Sequence, residues 1–84
     1  MAFEVNFSLH AAKELKKLDK PIQKRIIEKL TEYALTENLS EAKKLTNPVL
    51  GQWRFRMGDY RVIFDLKGKE IQVLKVAHRS EIYE

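Results

Sequence analysis

Trp53-Arg54-Phe55-Arg56-Met57 alternates apolar and cationic side chains, and this period of two constrains the fold more than any other stretch of the chain. It dictates a strand with two unlike faces, with Trp53, Phe55 and Met57 on one and Arg54 and Arg56 on the other. Gly58-Asp59 supplies a tight reversal, and Tyr60-Arg61-Val62-Ile63-Phe64 reads as the returning strand. Pairing of the two strands brings Arg61 near Arg54 and Arg56. Three guanidinium groups gathered on one sheet repel one another unless an anion sits among them. The hairpin therefore reads as a surface built for something negative.

The distribution of charge agrees with that reading. Residues 1–42 carry seven Lys/Arg and seven Asp/Glu, whereas residues 43–84 carry nine and five, so the whole net charge of +4 lies in the half with the hairpin. Such an asymmetry points to an anionic partner, nucleic acid first, and charge alone leaves an ordinary basic surface standing equally beside it. With 84 residues the chain suits a single domain spanning 1–84. The absence of cysteine removes disulfides and thiolate-bound zinc, and two histidines, His10 and His78, make a poor metal site. No metal or cofactor is expected. No apolar run reaches the length of a signal-peptide core or a membrane span, so the expected location is cytoplasmic.

The rest of the chain supplies a scaffold. Phe3-Glu4-Val5-Asn6-Phe7 alternates like a short strand. Ser8 reads as the N-cap of a helix whose apolar stripe is Leu9, Ala12, Leu15 and Leu18. Asp19-Lys20-Pro21 ends that helix and opens a second, with Ile22, Ile26, Leu30 and Tyr33 on one face. Ser40 is a candidate cap for a single turn ending near Leu45, and Asn47-Pro48 with Gly51 supplies turn chemistry. Lys43 and Lys44 serve as phosphate contacts if that segment lies beside the hairpin, and as solvated lysines otherwise. Lys67-Gly68-Lys69 makes another turn before the strand Ile71–Val76. The expected fold is α+β: strand, helix, helix, then a three-strand antiparallel meander, with the sheet packed on the helical hairpin.

Arg54, Arg56, Arg61, Arg79 and Tyr83 are the residues with chemistry to offer. Arginine stays protonated, so it binds phosphate and stabilises the charge of a phosphodiester transition state but moves protons poorly. A tyrosine beside such a field, Tyr83, is suited to activating a ribose 2′-hydroxyl, and His78 is an alternative acid or base. The same residues also have bland readings, with Tyr83 covering a core edge and His78 structural. Spacing alone gives a basic sheet, not an enzyme.

The chain resembles the toxins of the RelE/ParE superfamily of bacterial and archaeal type II toxin–antitoxin systems. The resemblance is carried by Phe7-Ser8 to Ala12, Leu15-Lys16-Lys17-Leu18-Asp19, Lys44-Leu45, Trp53 to Phe64, Val76-Ala77-His78-Arg79 and Ile82-Tyr83. It implies a RelE-like fold and a ribosome-dependent endoribonuclease (an mRNA interferase) that cuts mRNA in the decoding site and is restrained by a cognate antitoxin in a hetero-oligomer. By position, it implies that Arg54 and Arg56 bind the RNA backbone and that Arg61 stabilises the scissile phosphate. Arg79 would assist the leaving group and Tyr83 activate the 2′-hydroxyl; Lys43, Lys44 and His78 are RNA-binding support on the reading of the residues themselves, His78 having no fixed role across the family. Family members often have lysine where this chain has Arg54 and Arg56, which keeps the charge and weakens any proton-transfer role there. Two rivals stand beside this: a ParE-like toxin of the same fold that inhibits DNA gyrase, and a non-catalytic binding module.

Overall fold

The computed structural model describes residues 2–45, 51–78 and 80. The elements run β1 (Glu4–Phe7), α1 (Leu9–Lys16), α2 (Lys20–Thr36), β2 (Lys43–Lys44), β3 (Trp53–Met57), β4 (Tyr60–Lys67) and β5 (Glu70–His78). The strands form one sheet in the order β1-β5-β4-β3-β2. The meander β3-β4-β5 is antiparallel, as its pattern requires, and β1 adds to its far edge in parallel with β5.

Local chemistry places each boundary. Ser8 caps α1, its Oγ accepting the Ala11 N–H at 3.0 Å. Gln23 Nε2 donates to the Leu18 carbonyl at 2.6 Å and closes the corner into α2, whose first turn holds Pro21. Both hairpins turn on two residues. Gly58 and Gly68 take φ of +60° and +58° at the first central position, where a side chain would be strained.

The two helices cover one face of the sheet. Ala11, Leu15, Ile26, Leu30, Tyr33 and Ala34 meet Phe55, Val62, Phe64, Ile71, Val73 and Val76 there. Tyr33 packs edge-on against Phe55 with ring centroids 5.4 Å apart, and Trp53 stacks on Phe64. The opposite face carries no helix among the described residues, and only Ile63 and Ala77 form a small buried cluster on it.

One sequence expectation needs correction. Residues 40–45 do not form a single turn capped by Ser40. The Ser40 N–H donates instead to Asn38 Oδ1, and the Ala42 N–H to the Leu39 carbonyl, so the turn closes by residue 42. Lys43-Lys44 then runs as a two-residue edge strand on β3. Two lysines carry no apolar alternation, so nothing in their side chains signals a strand. Asn47-Pro48, also assigned to a turn, lies outside the described residues.

Candidate nucleic-acid interface

Strand alternation decides which cations share a face. In β3–β4 register, Arg56 lies directly opposite Arg61 and Arg54 opposite Ile63. On the other side of β3, Lys43 pairs with Arg54 and Lys44 with Trp53. Paired residues point to the same side of a sheet. Lys43, Arg54, Arg56 and Arg61 therefore converge on the helix-free face. Lys44 goes to the other side, where its ammonium lies 6.0 Å from the Trp53 ring centroid.

The ladder brings Arg56 and Arg61 closer than a generic pair. The Leu45 N–H donates to the Gln52 carbonyl, so alternate residues 52, 54 and 56 direct their backbone groups toward β2. Arg56 and Arg61 are then a non-hydrogen-bonded pair, the narrower kind, with Cα atoms about 4.5 Å apart. Like charges so placed are destabilising, and an anion between them relieves the repulsion. Arg54 differs from its neighbours: it is only 5% exposed, whereas Arg56 is exposed and Arg61 half-buried.

β2 pairs with β3 only as far as Lys43 and Arg54, and beyond that rung the two segments part. The gap is an open cleft of about 260 Å³ lined by Glu41, Lys43, Arg54, Phe55 and Arg56. Glu41 has no part in the sequence reading. It stands two residues before Lys43, the spacing of a strand face, but the segment reads as a turn and the spacing carries no signal there. Its carboxylate is held by the Lys29 ammonium of α2, which also bonds Glu32 at 3.2 Å. These carboxylates, Glu41 first, hold the Lys29 pKa above its ordinary 10.5.

His78 is not brought to the arginines. It pairs with Tyr60, in the same register line as Met57, on the side of the sheet that carries the helices. Its ring meets the Tyr60 ring edge-on at 5.5 Å, and its Nδ1 lies 2.9 Å from Ser80 Oγ. Arg79 and Tyr83 lie outside the described residues. Among the described residues there is no cluster of three or more metal-ligating side chains, and no helix is long and apolar enough to cross a membrane.

Residues 5–83 match the family described as ParE toxin of type II toxin–antitoxin system, parDE. Among solved structures, the RelB–RelE antitoxin–toxin complex of Methanococcus jannaschii contains a chain 29% identical to this one. The match covers 92% of this chain and 93% of that one at a TM-score of 0.76. The archaeal RelE–RelB complex of Pyrococcus horikoshii gives 27% identity over 98% of this chain and 100% of that one, also at 0.76. A mutant of E. coli RelE in the free state, at 20% identity, shares the fold with a TM-score of 0.80 over 96% of this chain and 87% of that one. No curated protein matches the sequence. With the family matched over almost its whole length and the RelE architecture reproduced, the chain belongs to the RelE/ParE superfamily of type II toxin–antitoxin toxins.

Proposed function

We propose that this toxin is an mRNA interferase, a metal-independent endoribonuclease that cuts mRNA in the ribosomal decoding site and stops translation. The observation that carries the proposal is the Arg56–Arg61 pair, set side by side on the helix-free face with Lys43 and Arg54 beside it. Four cations on one face are suited to a bent RNA strand and to the additional negative charge of a pentacoordinate phosphorane.

In the proposed reaction the ribose 2′-oxygen attacks the adjacent phosphorus and the P–O5′ bond breaks. A 2′,3′-cyclic phosphate and a 5′-hydroxyl end result. Arg61 holds the scissile phosphate, while Arg54 and Arg56 hold the flanking backbone. Tyr83, acting as the phenolate, takes the 2′-proton; Arg79 steadies the departing 5′-oxygen by charge, and that oxygen takes its proton from water. Tyr83 is preferred to His78 as the base because His78 stands on the other side of the sheet from Arg61. A cognate antitoxin covers the cationic face in the resting complex, as the relatives found in RelB–RelE complexes suggest. The protein acts in the cytoplasm, where its substrate is.

Mapping RNA 5′ ends after induction tests this. Cuts within translated messages are expected, and Arg61→Ala and Tyr83→Phe should each lower single-turnover cleavage on programmed ribosomes roughly tenfold or more with the fold retained. A second reading, inhibition of DNA gyrase, is favoured by the parDE description of the matched family. Broken DNA with intact messages in the same cells would establish that reading in place of the first.

A further inference from the structure

The cleft between β2 and β3 holds an acid where a phosphate-binding surface has no use for one. Continuing the register of Lys43 and Arg54 by two residues sets Glu41 across from Arg56. The chain turns away there, and the Glu41 side chain, 62% exposed, remains on the wall of the cleft with Lys43, Arg54 and Arg56. A phosphate drawn in by those cations is repelled by this carboxylate, which lowers the net attraction.

Neutralising Lys29 does not explain the acid. Lys29 already has Glu32 on its own helix at 3.2 Å, so Glu41 leaves the trio with one surplus negative charge. Lys29 instead holds one oxygen of the carboxylate, and the side chain as a whole remains largely exposed. The carboxylate is anchored and accessible, which suits an acceptor waiting for donors.

On an RNA strand whose phosphates rest on the arginines, the donors are on the bases. Unstacked single-stranded bases present their Watson–Crick edges to protein side chains. Among the four bases, guanine alone offers two adjacent N–H donors on that edge, N1–H and N2–H, matching the two oxygens of a carboxylate. We infer that Glu41 is a base-reading residue, accepting both protons of a guanine next to the phosphate held by Arg54 and Arg56. This rests on the interferase reading and gives that site its sequence preference. Lys29 is the positioning residue that holds the carboxylate in place.

The test is to map RNA ends after induction of the full-length wild type, Glu41→Gln, Glu41→Asp and Lys29→Met. Wild-type cuts should be enriched beside guanine. Glu41→Gln, which replaces an acceptor by an amide donor, should lower that enrichment about fivefold or more while total cleavage stays within about threefold. Glu41→Asp should retain part of it. Cuts without guanine enrichment in the wild type, or an enrichment unchanged in Glu41→Gln, would overturn the inference and leave the interferase standing. The same holds if Glu41→Gln and Lys29→Met both reduce total cutting with the base distribution unchanged, because Glu41 would then only pin β2. An absence of any RNA cuts in the wild type would remove the interferase and this inference together.

Discussion

Tyr33 is buried, and among the described residues its hydroxyl has no hydrogen-bond partner. A desolvated, unpaired hydroxyl costs free energy, so Tyr33→Phe should keep the ring contacts with Phe55 and Phe64 and raise stability by up to about 1 kcal/mol in urea unfolding. Burial also pushes the Tyr33 pKa above its ordinary 10.0. A raised pKa means that the folded state holds the proton more tightly than the unfolded one. The associated stability is complete below pH 10.0 and is lost as pH climbs through the folded value. Melting curves between about pH 9 and 11 should therefore fall more steeply for wild type than for Tyr33→Phe. Gly51 is constrained by space alone: a methyl there would stand 2.6 Å from Ile63 Cγ2 and 3.1 Å from Leu74 Cδ1. Gly51→Ala should cost about 1–3 kcal/mol, read from the same unfolding curves. Neither constraint can be read from sequence, because each depends on which distant side chain arrives opposite.

At the scale of elements, the edge of β5 shows how the helices hold the sheet. β1 covers β5 only from Glu70 to Val73. Beyond it, the Ser8 N–H donates to the Val73 carbonyl, and the Glu14 carboxylate of α1 accepts the Val76 N–H at 2.8 Å and the Lys75 ammonium at 3.2 Å. α1 thus finishes the edge that β1 leaves open. Glu14→Ala should destabilise the fold by about 1–3 kcal/mol and Glu14→Gln, which keeps an acceptor oxygen, by less, as thermal melts would report. The hairpin β3–β4 was legible because its alternation is local and its turn residues are diagnostic. β2 was not, since two lysines have no periodicity, and with it went the separation of Lys43 from Lys44 to opposite faces. The side on which His78 stands was hidden for a related reason: one residue of strand register decides it, and the bulge near Ile63 and Phe64 intervenes before it.

Across the whole molecule the helix-free face is polarised. Lys43, Arg54, Arg56 and Arg61 occupy the β2-β3-β4 end, while Glu4, Asn6, Glu70 and Gln72 share the β1–β5 end, where Asn6 and Gln72 both donate to Glu70. An RNA strand bound as proposed would lie at the cationic end. If four phosphates engage these cations, affinity for a short single strand should fall roughly tenfold to a hundredfold between 50 and 200 mM salt, measurable by fluorescence anisotropy. Sequence patterning recovered the fold class, the two-helix scaffold and the hairpin arginines, because each rests on short-range period and turn chemistry. Arg79 and Tyr83, which the proposed reaction adds to those arginines, stand on the sequence and its resemblance. The parallel pairing of β1 with β5 has a further consequence. Glu4 and Glu70 are neighbours in space at opposite ends of the chain, and the pairing between them is the least local in the fold. During synthesis the first strand to emerge waits, unpaired, until almost the last strand follows it. The nascent chain cannot complete its sheet early, so a newly made molecule gains its finished surface only once β5 has followed β1 out.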